Sequence, residues 1–507
     1  MIDAKLLAYE FDEEANGFGE PVTPQDVAPA GLSLATKFSL ALVALGALSL
    51  LVQVFGSSLN GTWAGFLSGI GLLSIGACLT FYNQLAGTTP GIKHDGTFFS
   101  GLLNRGALGW VAGIAMTGLY VLLYFQPQYL GYVPAVWGSE GLVEEARVTG
   151  GLVRTVEPLA LALGVQTSQW FLYGILYTLS ILVFGVRMFM KYRHNRYHQV
   201  RTASVMFFQA VFAWYLPQLL VRFQQPYVEF NGVWPLKQDY LWPEKVQGQF
   251  LSGAGFGTFL LVFAIAGVIA TPILTYFFGK RWYCSWVCGC GGLAETLGDP
   301  WRQQSSKSTR AWKIERWMIH AVLVLVVLTT AGLWLDYKTS GNLYGSWSGP
   351  FRNGYGFLIG AVFSGVVGVG FYPLLGNRVW CRFGCPQAAI LGIFQRIFSR
   401  FRITTNGGQC MSCGNCSTYC EMGIDVRAYA QRSENIVRAS CVGCGVCAAV
   451  CPRGVLKLEN GLPADRFEGA DVPLKALVAS FQEPDIYGYE SWPPPEPATR
   501  EAERTSV

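Results

Sequence analysis

The sequence predicts an all-α polytopic membrane protein of about eight transmembrane helices, closed at its C-terminal end by a small α+β domain. Three observations carry this reading. Charged residues make up 14% of the chain and hydrophobic residues 51%, whereas ordinary soluble domains carry about 25% charged residues. The apolar residues gather into stretches long enough to cross a hydrocarbon core of about 30 Å. Of 14 cysteines, all but Cys78 fall between Cys284 and Cys451 in tight clusters, a pattern of metal binding in a reducing compartment rather than of disulfides. A net charge of +5 is too small to point to nucleic acid.

An acidic arm, residues 1–37 with Glu10, Asp12, Glu13 and Glu14, has no secretory signal pattern. The expected spans follow: 38–55, 64–82, 107–125 and 171–190 in a first four-helix part (38–202), then 203–221, 256–278, 317–335 and 357–375 in a second (203–380). Cys78, inside an apolar run, reads as a small buried apolar residue. Lys191, Arg193, Arg196, Arg201, Lys280, Arg281, Lys307, Arg310, Lys313, Arg316, Arg378, Arg382, Arg396 and Arg400 all fall on one side of eight alternating spans. The positive-inside rule makes that side cytoplasmic. The loops around 126–170, 222–255 and 336–356 are poorer in Lys and Arg and are expected to face outward. Within 381–402, Ile390, Phe394, Ile397 and Phe401 recur at helical spacing among Arg396, Arg400 and Arg402, which predicts an interfacial helix over 387–402. Residues 403–460 form the small domain; 461–507 form an extension whose end, beyond Pro484, has a disordered composition.

The small domain holds two cysteine runs, CMSCGNCSTYC (Cys410, Cys413, Cys416, Cys420) and CVGCGVCAAVCP (Cys441, Cys444, Cys447, Cys451). Each has the C-x2-C-x2-C-x3-C spacing of bacterial two-cluster ferredoxins, in which the fourth cysteine ligates the other cluster. Two [4Fe-4S] clusters are expected, one on Cys410, Cys413, Cys416 and Cys451, the other on Cys441, Cys444, Cys447 and Cys420. Structural zinc is the alternative, but zinc sites use ligand pairs separated by a longer loop. Glu421 stands where a proline usually follows the fourth cysteine.

Two further motifs follow spans six and eight: GKRWYCSWVCGCGG, with Cys284 and Cys288, and GNRVWCRFGCPQAA, with Cys381 and Cys385. Their shared Gly, Arg, aromatic and C-x3-C pattern reads as an internal repeat. Four thiols brought together there would suit an additional iron-sulfur cluster or a soft metal such as Cu(I); the alternative is redox-inactive thiols at tight turns. Cys290 is a further thiol without an assigned role. The chain has four histidines and no C-x-x-C-H run, which excludes c-type haem attachment. His194 and His198, among basic neighbours, read as an anionic-lipid contact. His320 is expected either to touch a quinone or the thiol site, or to be a satisfied histidine among helices.

Two C-x3-C motifs at helix ends followed by a two-cluster ferredoxin domain resemble the membrane ferredoxins of the NapH, NosR and CcoG type, over about residues 203–455. The resemblance implies an integral membrane iron-sulfur protein passing electrons between a quinone or cytoplasmic donor and a respiratory or redox partner, as a carrier or subunit of an oxidoreductase complex. It also implies a bacterial inner membrane location, with clusters and both termini cytoplasmic and with lipid, quinone and other redox subunits as partners. A copper reductase or assembly factor for a metalloenzyme, and a structural anchor subunit, are the other readings. Cys288 is followed by Gly289 and Cys290 where the family usually has proline, and the first four spans are extra relative to a NapH-type protein.

Overall fold

The structure is a computed structural model and describes residues 33–86, 106–138, 141–251, 255–406 and 409–460; the acidic arm up to residue 32 and the extension 461–507 lie outside the described residues. Seven helices are long and apolar enough to cross a membrane: α1 (Leu34–Val54), α2 (Trp63–Leu85), α3 (Gly106–Phe125), α4 (Gln169–Lys191), α5 (Arg196–Arg222), α6 (Phe256–Phe278) and α7 (Thr309–Lys338). Their starts are written locally. Ser33, Ser168, Asn195 and Ser308 each accept a backbone N–H three residues on, capping α1, α4, α5 and α7.

The eighth expected span, 357–375, takes a different form. Its helix begins early, at Ser348–Tyr355, continues as a π-helix over Gly356–Val367, and breaks at residues 368–371 before a short turn of helix, Tyr372–Leu375. Gly365, Gly368 and Gly370 supply little helix propensity there, and the polar start SGPFRNGY dilutes the apolar run. This helix, α8, still runs beside α3 and α7. At one end of the bundle the chain is tied together by long-range bonds: Arg193 donates to the Leu85 carbonyl, Lys191 Nζ lies 2.7 Å from Asp299, and the Arg400 N–H donates to Tyr276 O.

The 222–255 loop does not simply face outward. Its irregular segment, residues 225–236, folds back among the helices. The Phe230 N–H donates to Phe212 O within the π-helical turn of α5, Val233 packs against Gly267 halfway along α6, and the Tyr283 hydroxyl donates to Asn231 O at 2.9 Å. Leu236 reaches the packing around Cys288 and Cys385. Irregular backbone at this depth persists only where protein satisfies its polar groups. Here Tyr240 Oη accepts from Glu229 N–H and donates to Glu229 O, while Lys237 pairs with Glu229 at 2.7 Å.

Helix α9 (Pro386–Ile397) follows, shorter than the expected 387–402 helix, because residues 401 and 402 belong to a strand. Gln387, Ala388, Leu391 and Gln395 face inward and Ile393, Ile397 and Phe398 outward. Strand Phe401–Thr405 pairs antiparallel with Leu456–Asn460, Ile403 opposite Leu458, and frames the small C-terminal domain. The step into that domain depends on Gly279, at φ +68° and ψ −177°, a region open to glycine alone. A Cβ there would lie 2.7 Å from Phe401 Cβ and 2.9 Å from Gln395 Oε1. Gly279→Ala is therefore expected to cost about 1–3 kcal/mol, read as a lower thermal midpoint of the purified protein.

Candidate metal centres

The two cysteine runs fold as a repeat. Gly414 and Gly445, both left-handed, turn the chain into the short helices Asn415–Thr418 and Val446–Ala449, which carry Cys416 and Cys447. Two cavities result. One is lined by Cys410, Cys413, Cys416 and Cys451, the other by Cys420, Cys441, Cys444 and Cys447. The fourth cysteine of each run thus faces the cavity of the other run.

Four soft thiols around an otherwise largely apolar cavity suit a thiolate-held cluster. Among the described residues no three Cys, His, Asp or Glu are placed to hold a single metal ion. Burial pushes the Cys416 thiol up to about 12 and Cys441 to about 11, and raises Cys420, Cys444 and Cys447 too. Such thiols lose their protons only where a metal supplies positive charge.

The second cavity is held against the membrane part. Five carbonyls of the loop that starts the second run each accept a side-chain donor from outside the domain. Lys280 Nζ binds Ala439 O at 3.2 Å, Gln395 Nε2 binds Cys441 O at 2.8 Å, Ser285 Oγ binds Val442 O at 2.8 Å and Tyr197 Oη binds Gly443 O at 2.8 Å, while Arg201 donates to Cys444 O. The first cavity opens outward instead: Cys413 is exposed and Met411 is 57% exposed.

Glu421 explains its own departure from proline. Its carboxylate, fully buried, lies 3.0 Å from Arg302 and 3.1 Å from Arg378, and also accepts from Asn377. Burial opposes its charge, but Arg302, Arg378 and Arg201 overcome that and hold the carboxyl at about 2. Arg378 and Arg201 also share Glu295, at 2.6 and 3.0 Å, and Arg302 meets Asp299 at 3.3 Å. Single removal of a partner from such buried ion pairs is strongly destabilising.

Cys284, Cys288, Cys381 and Cys385 are all buried. The structure brings the two C-x3-C motifs together: Cys284 and Cys288 lie in one core with Cys416, Cys441 and Cys447, and Cys290 packs both there and beside Cys385. Burial raises the Cys284 thiol to about 12 and lifts Cys381 and Cys385; Cys381 acts electrostatically on Cys284, and both act on Cys385. Cys290, which the sequence left without a role, is a fifth thiol here. Its hydrogen bond with Cys288, then its burial, pushes it well above the ordinary range, and Tyr177 hydrogen-bonds it. Arg378 Nη1 binds Cys284 O at 3.2 Å and reaches Cys381 Sγ at 3.7 Å. Gly291 permits this packing, since a Cβ there would lie 2.0 Å from Cys284 O.

Three other readings change. His198 is buried, its ring stacked on Tyr192 at 4.4 Å, and so makes no lipid contact; it joins the wall that holds the domain. His320 is exposed on α7 rather than turned toward the thiols. Cys78 is half-buried rather than buried.

Comparisons with known proteins follow this geometry. The family model described as "4Fe-4S binding domain" matches residues 260–308 and 357–404, each containing one C-x3-C motif, and the "4Fe-4S dicluster domain" model matches 409–456. The chain is 28% identical over 163 residues to the methylamine utilization ferredoxin-type protein MauN of Paracoccus denitrificans, covering 31% of this chain and 54% of that protein. It is 28% identical over 199 residues to an uncharacterized protein of Methanocaldococcus jannaschii, 38% of this chain and 73% of the relative. It is 24% identical over 157 residues to the putative electron transport protein YccM of Escherichia coli, 29% of this chain and 43% of the relative. The chain thus spans about half the length of MauN and YccM. No solved structure matches. Seven apolar helices, the 4Fe-4S binding and dicluster matches, and the likeness to ferredoxin-type electron transport proteins together support an iron-sulfur electron-transfer protein of the membrane.

Proposed function

We propose that this protein passes electrons between a quinone-linked or cytoplasmic donor and a respiratory or redox partner. In this reading Cys410, Cys413, Cys416 and Cys451 hold one [4Fe-4S] cluster, Cys420, Cys441, Cys444 and Cys447 a second, and Cys284, Cys288, Cys381 and Cys385 a further iron-sulfur centre. The observation that carries it is the pair of four-thiol cavities, one clamped to the membrane part and one open through Cys413. When bound, such clusters supply one-electron carriage without bond chemistry.

The chain's own contribution is position and exclusion of water. Cys284 and Cys288 share one core with Cys441 and Cys447 of the clamped cavity and Cys416 of the open one, and the carbonyl clamps tie the clamped cavity to the membrane part. The order runs from the membrane thiols through the clamped site to Cys413, where a soluble or membrane partner has access. Arg310, Lys313, Arg316 and Arg396, exposed beside the domain, support a cytoplasmic placement of that face by the positive-inside rule.

Iron analysis with EPR on the purified membrane protein tests the assignment. Wild type is expected to hold more than about eight irons, and a Cys284→Ser, Cys381→Ser double variant to fall toward about eight. Equal iron in both would remove the third centre. Quinol-dependent bleaching of the cluster absorbance tests the donor; bleaching by cytoplasmic reductants alone points to the other one.

A further inference from the structure

We propose that Lys280 is a counter-cation shared by the membrane thiol site and the Cys420, Cys441, Cys444 and Cys447 site, and that its charge raises the reduction potential of both. The inference rests on the reading that both sites hold anionic thiolate-ligated centres.

Lys280 is 1% exposed. Its ammonium donates to Ala439 O at 3.2 Å, and among the described residues no carboxylate stands within ion-pair distance. Its cationic neighbours differ. Arg201, Arg302, Arg378 and Arg382, equally buried, each have a carboxylate: Glu295, Asp299 with Glu421, Glu295 with Glu421, and Glu315. A charge taken out of water is retained only against a counter-charge. The groups that remain for Lys280 are the thiols. Its ammonium binds Ala439 O, two residues before Cys441, and its carbonyl accepts the Cys284 N–H at 3.1 Å one helical turn on; its charge favours the thiolate of Cys284, Cys381 and Cys441.

The residue is also fixed in place. Its backbone N–H donates to Gln395 Oε1 at 2.7 Å, and Gln395 Nε2 in turn holds Cys441 O at 2.8 Å. Gly279 immediately before it admits no side chain. The ammonium is therefore held against the loop of Cys441, on a residue one helical turn before Cys284, rather than free to reach solvent. Reduction adds negative charge to a thiolate-ligated centre, so a fixed cation favours the reduced form. At an effective dielectric of about 20, a unit charge within about 10 Å shifts such an equilibrium more than tenfold.

The test is a redox titration followed by EPR on the full-length protein in detergent, with signals assigned through Cys284→Ser and Cys413→Ser. K280M is expected to lower the reduction equilibrium of both the membrane centre and the clamped cluster about tenfold or more, about 59 mV for one electron. The cluster that depends on Cys413 should move less, and K280R should restore both. Unchanged potentials in K280M at full iron content would overturn the proposal, as would a shift confined to one site or one that K280R fails to reverse. K280Q, which keeps the donor to Ala439 O, covers poor accumulation of K280M. If both neutral variants fold without loading iron while K280R loads it, the counter-charge is supported; loss of iron in all three overturns it. Absence of iron at the membrane thiols of the wild type defeats the third centre, the reading on which the shared role rests, and is distinguished from failure of the proposal itself, in which both centres load iron and K280M leaves their potentials unchanged.

Discussion

Glu421→Gln is expected to be among the most damaging single substitutions in the chain. It keeps the shape and one acceptor but removes the negative charge that faces Arg302 and Arg378 at 3.0 and 3.1 Å inside a fully buried pocket. Breaking a buried pair by removing one partner costs about 3–5 kcal/mol, because the other charge is left without compensation. Two guanidiniums would share that loss, and the clamp around the Cys441 cavity would loosen with them. A lower thermal midpoint together with loss of the clamped-cluster EPR signal is the expected result; an unchanged signal would show that the carbonyl clamps suffice. The pH dependence has a definite sign. Glu421 is held at about 2 in the fold and near 4.3 when unfolded. Its contribution is therefore fully present above about pH 5 and lost as pH falls through about 2. The wild type should lose stability over that range, and Glu421→Gln should lose less.

The second large effect concerns which cysteines act together. Cys451 follows Cys447 in sequence yet lines the cavity of Cys410, Cys413 and Cys416, and Cys420 lines that of Cys441, Cys444 and Cys447. Cys451→Ser is therefore expected to abolish or strongly shift the same EPR signal as Cys413→Ser, and Cys420→Ser the same signal as Cys444→Ser. The two classes should also differ in their wider effect. The Cys413 class, at the open cavity, should leave the membrane part nearly as stable as in the wild type. The Cys444 class, at the clamped cavity, should lower thermal stability as well. Pairing along the sequence instead, Cys451 with Cys444, would overturn the crossed arrangement.

Much of this was legible in the residues. Apolar runs separated by polar loops placed seven helices to within a few residues at most ends, since a hydrocarbon solvent leaves few alternatives for backbone hydrogen bonds. The cysteine spacing carried the crossed cavities, because the C-x2-C-x2-C loop is short enough to fix its own geometry. The repeat of GKRWYC and NRVWC motifs marked two helix ends that carry thiols, and only the structure shows their packing through Cys290. Where a residue's meaning depended on a distant partner, the sequence misled or was silent. His198 read as a lipid contact because of the basic residues around it in sequence, but packing buries its ring against Tyr192. Several cations used for orientation prove to be structural: Arg201, Arg378 and Arg382 are buried against carboxylates. The helix over 387–402 was overextended because the same apolar residues serve a strand at Phe401.

What the sequence alone determined, then, was the class of protein and the grouping of its thiols, since both rest on local patterns: runs of apolar residues and cysteines a few positions apart. What only the tertiary structure decided was the relation among the sites. The folding of residues 225–236 back into the bundle, the burial of Glu421 between two arginines and the seating of Lys280 against Ala439 join residues tens to hundreds of positions apart. No periodicity or spacing records such contacts, because packing and buried charge compensation act through space and leave no mark on neighbouring letters.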